Sequence, residues 1–151
     1  MKTSNVVLKT LLASVIFAGM QATALAVPPS TCLGQPVTIY GTDFSDANIQ
    51  GTSGDDVIHG GNGNDIIRGN QGNDVICGGD DVDDIEGESG DDQISGGSGN
   101  DVLSGNGGHD TLNGNQHDDD LHGGDGQDLL DGGLGIDSCN GGLGADAFVS
   151  C

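Results

Sequence analysis

The sequence predicts an all-β solenoid, and three observations predict it. From Gly51 to Val149 the chain divides into eleven nonapeptides with no insertion, starting at Gly51, Gly60, Gly69, Gly78, Gly87, Gly96, Gly105, Gly114, Gly123, Gly132 and Gly141. The sixth position is aspartate in every unit: Asp56, Asp65, Asp74, Asp83, Asp92, Asp101, Asp110, Asp119, Asp128, Asp137 and Asp146. The eighth is apolar in every unit: Ile58, Ile67, Ile76, Ile85, Ile94, Leu103, Leu112, Leu121, Leu130, Cys139 and Phe148. A fixed period is the mark of a stacked repeat whose units bury a continuous core only together. A disordered acidic tract, the competing reading of a chain this polar, has no reason to hold columns in phase.

Residues 1–26 stand apart from the repeats. Lys2 and Lys9 precede an apolar run from Leu11 to Met20, which exits through Ala24-Leu25-Ala26. A basic start, a short apolar stretch and an A-x-A exit predict a cleaved export signal. An uncleaved anchor is the alternative, but a bilayer asks for about 20 apolar residues. No second apolar run follows, so no membrane insertion is expected of the remainder. Residues 27–50, with "PVTIY" reading as a strand and Ile49 in the apolar phase, are expected to cap the first coil, as the ends of a solenoid require. Residues 51–149 form the repeat domain, and residues 150–151 a short tail.

Charge narrows the choice of partner. Beyond residue 26 a single cation, Arg68, stands against 24 acidic residues, a net charge of −23. That sign argues against nucleic acid and anionic membranes, and for cations. Only Glu86 and Glu88 are glutamates, so the acid is almost wholly aspartate.

The unit reads G-G-x-G-x-D-x-U-x with U apolar, and "GGNGNDIIR" and "GGSGNDVLS" fit every fixed position. This pattern resembles the RTX, or haemolysin-type, calcium-binding nonapeptide. The resemblance implies a right-handed parallel β-roll in which six glycine-rich residues turn and three form a strand. It also implies several calcium ions between the turns of successive coils, held by the eleven aspartates and by backbone carbonyls. Independent chemistry agrees: calcium takes six to eight oxygens, and glycine leaves carbonyls uncovered. With two units per coil, Asp56, Asp74, Asp92, Asp110, Asp128 and Asp146 stack in one column, and Asp65, Asp83, Asp101, Asp119 and Asp137 in the other. Up to nine gaps between rungs result. Carboxylates at a coil spacing of roughly 4.8 Å repel, so binding and folding are expected to be one event. Asp137 and Asp146, in the least polar units, are the weakest candidate ligands. No window fits an EF-hand.

Four cysteines in an exported chain favour disulfides. Three pairings are possible; Cys139 with Cys151, then Cys32 with Cys77, is preferred, with Cys139 as a plain core residue the alternative. No CxxC or paired Cys-His spacing suggests zinc. His59, His109, His117 and His122 sit at the ninth, fifth, fourth and ninth positions and share no repeated role, and no catalytic motif is present, so no enzyme activity is expected. Proteins of the resembled family usually carry a toxin, protease or lipase domain and usually lack cysteine. The resemblance therefore implies calcium binding and carries no implication of haemolysis or proteolysis. An ice-binding or adhesin-type surface, or a remnant of a larger toxin or enzyme, is the alternative function. The third-position residues are too irregular for an ice-binding row.

Overall fold

The computed structural model describes residues 31–151, so the export signal expected at residues 1–26 lies outside the described residues. Within them the chain is all β. A short hairpin, β1 (Thr31–Cys32) and β2 (Gln35–Pro36), precedes the short strands β3 (Ile39–Tyr40) and β4 (Ile49–Gln50). Ten strands of six residues follow: β5 (Val57–Asn62), β6 (Ile66–Gln71), β7 (Val75–Asp80), β8 (Asp84–Ser89), β9 (Gln93–Ser98), β10 (Val102–Gly107), β11 (Thr111–Gln116), β12 (Asp120–Asp125), β13 (Leu129–Leu134) and β14 (Ser138–Leu143). The last is β15 (Ala147–Val149).

Odd-numbered strands from β3 to β15 form one sheet of seven, and even-numbered strands from β4 to β14 one of six. Every pairing in both sheets is parallel, with a register of 18 residues from β5 and β6 onward: Ile58 faces Ile76, and Ile67 faces Ile85. Two units therefore make one coil, and the architecture is a parallel β-roll. Its core is two stacks of eighth-position side chains closed between the sheets, with Ile58, Ile67, Ile76, Ile85, Leu103, Leu112, Leu121 and Leu130 fully buried.

Two expectations need correcting. The strands are six residues long rather than three. Pairing resumes after the glycine at position one, so that Gly61 faces Gly79 and Asn62 faces Asp80. Stacking of identical coils overrides the weak strand propensity of glycine and asparagine there. The roll also begins before Gly51. Ile39 pairs with Ile58 across 19 residues, and Ile49 with Ile67, so a first coil lies inside the segment expected to be only a cap. One extra residue hides it from the nine-residue phase.

Both preferred disulfides are present, Cys32–Cys77 and Cys139–Cys151. The first staples the hairpin to β7, and β1 lies over β5 and β7. Val75 is buried there, whereas the seventh-position residues Val102 and Leu129 are 41% exposed. The second joins β14 to the tail. In the chain-entropy account, closing loops of these lengths contributes roughly 4 and 3 kcal/mol.

Truncating the core should be costly. Leu103 packs between Ile85 and Leu121, so Leu103→Ala is expected to cost about 2–5 kcal/mol in saturating calcium, read by urea unfolding. Val102→Ala, one residue away on the outer face, should cost under about 1 kcal/mol. Equal costs would contradict the assignment of the core.

Candidate metal centre

The aspartates stack because the coils do. In one column the backbone N–H of Asp56 donates to Oδ1 of Asp74 (2.8 Å), and the same bond joins Asp74 to Asp92, Asp92 to Asp110, Asp110 to Asp128, and Asp128 to Asp146 (3.2 Å). In the other it joins Asp65 to Asp83, Asp83 to Asp101, Asp101 to Asp119, and Asp119 to Asp137 (3.0 Å). One carboxylate oxygen per rung is thus fixed by the preceding coil.

The other oxygen has no partner. Oδ2 of Asp65, Asp74, Asp83, Asp92, Asp101, Asp110, Asp119 and Asp128 is buried without a hydrogen bond. Buried polar groups are nearly always paired, so a file of eight orphans points to something that pairs with oxygen. Each orphan faces the first-position glycine of its own unit. A Cβ on Gly60 would lie 2.6 Å from Oδ2 of Asp65 and 2.6 Å from the carbonyl oxygen of Gly78, one coil on. A Cβ on Gly78 would meet Oδ2 of Asp83 and the carbonyl of Gly96 in the same way. The missing side chain leaves a niche bordered by a carboxylate and a carbonyl, the donor chemistry that calcium takes. Among the described residues no cluster of three or more histidine, cysteine or acidic side chains is built to hold a metal. Each niche must draw on backbone oxygen.

Burial shifts the acidity of these groups. Loss of solvent pushes the Asp83 and Asp92 carboxyls up to about 7, and those of Asp65, Asp101 and Asp110 up to about 6. The N–H bond from the preceding coil opposes the rise, and the charges of neighbouring rungs add to it. Asp74 and Asp119 are raised for the same reason. Desolvation disfavours the charged form of a carboxylate. The columns are therefore poised to hold protons or cations and resist standing bare.

Not all eleven column aspartates are equivalent. Asp137 and Asp146, in the last coil, are only half-buried. Asp81 and His117, which replace the fourth-position glycine, take φ of 76° and 78°, left-handed values that aspartate and histidine tolerate better than most. A second ladder, not anticipated from sequence, runs through the fifth position. The N–H of Asn73 donates to Asp55, that of Asp91 to Asn73, and that of His109 to Asp91. Its counterpart on the opposite edge breaks at Val82. The N–H of Val82 donates to Asn64, but its own side chain offers Asn100 no acceptor. A partner position outside the nonapeptide phase, Asp46, was also missed: its N–H donates to Oδ1 of Asp65.

A model of the RTX calcium-binding nonapeptide repeat, built on four copies, matches residues 40–76, 78–112 and 113–148, most of the chain. The chain belongs to this family. The RTX match begins at Tyr40, inside the first coil rather than at Gly51. Comparison with curated proteins and with solved structures finds no match. An RTX β-roll is a structural calcium-binding domain.

Proposed function

We propose that this RTX chain is an exported calcium-binding protein in which ion binding and folding of the roll are a single event, without catalytic activity of its own. The observation that carries this reading is the file of buried, unpaired carboxylate oxygens. When bound, calcium supplies positive charge between neighbouring carboxylates. The proposed ligands are the column aspartates from Asp65 to Asp146, with carbonyls of the next coil's first-position glycines completing each site; Asp56, whose Oδ2 is already paired with Thr52, is not among them.

The roll's own residues set the coupling. At a coil spacing of roughly 4.8 Å, two bare carboxylates repel by about 3–4 kcal/mol at an effective dielectric near 20. The N–H donated by each preceding coil holds Oδ1 in place, so the carboxylate cannot swing out to water without breaking that bond. Charge accumulates along both columns as coils stack, and the single guanidinium, Arg68, is turned to Glu86 on the outer face. Export agrees with two disulfides, which persist in oxidising compartments, and with the basic and apolar start of the chain.

The test is a calcium titration of the metal-stripped protein with its disulfides intact, followed by far-UV circular dichroism, with magnesium as control. A cooperative gain of β signal with calcium alone is the expected result. A full β spectrum without metal at neutral pH, or coil at millimolar calcium, would sink the proposal.

A further inference from the structure

One of the two columns starts before the nonapeptides do. The bond from Asp46 to Oδ1 of Asp65, at 2.7 Å, repeats the rung-to-rung bond of the column it leads. Asp46 is therefore the first rung of one column, as Asp56 is of the other.

These two rungs differ from all that follow. Oδ2 of Asp46 accepts from the N–H of Thr42 (2.7 Å) and from its hydroxyl (2.9 Å). Oδ2 of Asp56 accepts from the N–H of Thr52 (2.6 Å) and from its hydroxyl (2.9 Å). The equivalent oxygen from Asp65 to Asp128 has no partner at all. Where later rungs leave an orphan, the first rung of each column has a threonine.

The cause lies in the backbone four residues before each aspartate. From Gly61 to Gly142 every residue at that place has a positive φ, between 74° for Asn106 and 131° for Gly79, whether it is glycine, asparagine or glutamate. Thr42 and Thr52 do not. A β-branched residue resists the left-handed region. Threonine thus keeps its turn in the conformation that brings its own N–H onto the carboxylate, and adds its hydroxyl. The remaining turns hold the left-handed conformation and leave the oxygen free.

We infer that Thr42 and Thr52 take the place of a cation at the head of each column, closing Asp46 and Asp56 to calcium. This rests on the calcium reading of the columns. The ion array then opens at Asp65 in one column and at Asp74 in the other. The first coil needs no metal, and the stapled hairpin covers the coils next to it, lying over β5 and β7. A folded start is present before calcium arrives, and the remaining coils fold onto it together as the niches fill.

The test counts bound calcium by equilibrium dialysis on the full chain with disulfides intact, beside hydrogen exchange of the metal-stripped protein. Asp56→Asn should bind as many ions as the unsubstituted protein, whereas Asp92→Asn should lose at least one. Without metal, amides of residues 38–60 should exchange at least tenfold more slowly than those of residues 96–131. The double variant Thr42→Gly, Thr52→Gly should abolish that difference, and Thr42→Ser, Thr52→Ser should keep it. Loss of ions by Asp56→Asn equal to that of Asp92→Asn, or uniform exchange in the metal-stripped protein, overturns the inference while the calcium reading stands. A chain that binds no calcium overturns both.

Discussion

Replacing Gly105 with alanine is expected to raise the calcium concentration at the folding midpoint by tenfold or more. The residue heads its unit, and an added Cβ would press on Oδ2 of Asp110 and lie 2.7 Å from the carbonyl oxygen of Gly123 in the next coil. Backbone strain is not the issue, because Gly105 takes no positive φ. Space is. The carboxylate can move only by loosening the bond that its Oδ1 accepts from Asp92, and the carbonyl only by separating two coils. Overpacking costs about 1–3 kcal/mol and a disrupted buried hydrogen bond another 1–3. Each 1.4 kcal/mol is a factor of ten in an equilibrium constant. The methyl group also occupies the niche in which the carboxylate and carbonyl meet, so cation affinity falls with stability. Gly107→Ala is the matched control: its Cβ would meet nothing closer than the carbonyl of Glu88 at 3.7 Å, and the midpoint should hardly move. Calcium titrations of the two variants decide the matter. Equal midpoints would mean that the first-position glycines are kept for some reason other than room.

Much of this arrangement is legible in the sequence because a stacked repeat turns position into geometry. Once the period is found, an 18-residue spacing places Asp74 over Asp56 and Ile76 over Ile58, and the structure stacks them so. The same logic marks Asp137 and Asp146 as different, since the polar neighbours of other units give way to Ile136 and Ala145. The Cys139–Cys151 pairing was readable from a tail close to the end of the roll, and Cys32–Cys77 followed as the pair left over. What was not legible depends on a single residue or on φ. Two residues lie between Asp46 and Ile49, against one between Asp56 and Ile58, and that one insertion conceals the first coil. The spacing of Thr42 to Asp46 matches that of Thr52 to Asp56, a signal present in the sequence. Its meaning appears only beside the left-handed turns that follow, because a threonine among glycines otherwise reads as one more polar turn residue. Strand length was hidden too, since glycine and asparagine pair here only through the coils above and below.

Acid should fold the metal-free roll in part, and alkali should not. The carboxyls of Asp65, Asp83, Asp92, Asp101 and Asp110 sit near 6 to 7 in the folded chain, against 3.8 for a solvated aspartate. A group whose folded value is raised binds its proton more tightly when folded. Its contribution to stability is fully present below about pH 4 and is lost as pH rises through 6 to 7. Protonation removes the repulsion between rungs, as calcium does, but it forms no crosslink between coils. The metal-stripped protein should therefore gain β signal between about pH 7.5 and pH 5, reversibly and without calcium. The calcium midpoint should move the opposite way, to higher concentration in acid, because protons and cations compete for the same oxygens. Circular dichroism across that range, with light scattering to exclude association near the sequence pI of about 4.1, tests both halves. More β structure at pH 8 than at pH 5 in the stripped protein would mean that the buried carboxylates are not what holds the empty roll open. The coupling of metal to fold would then lie in the turns themselves, in the left-handed backbone that threonine avoids at the head of each column.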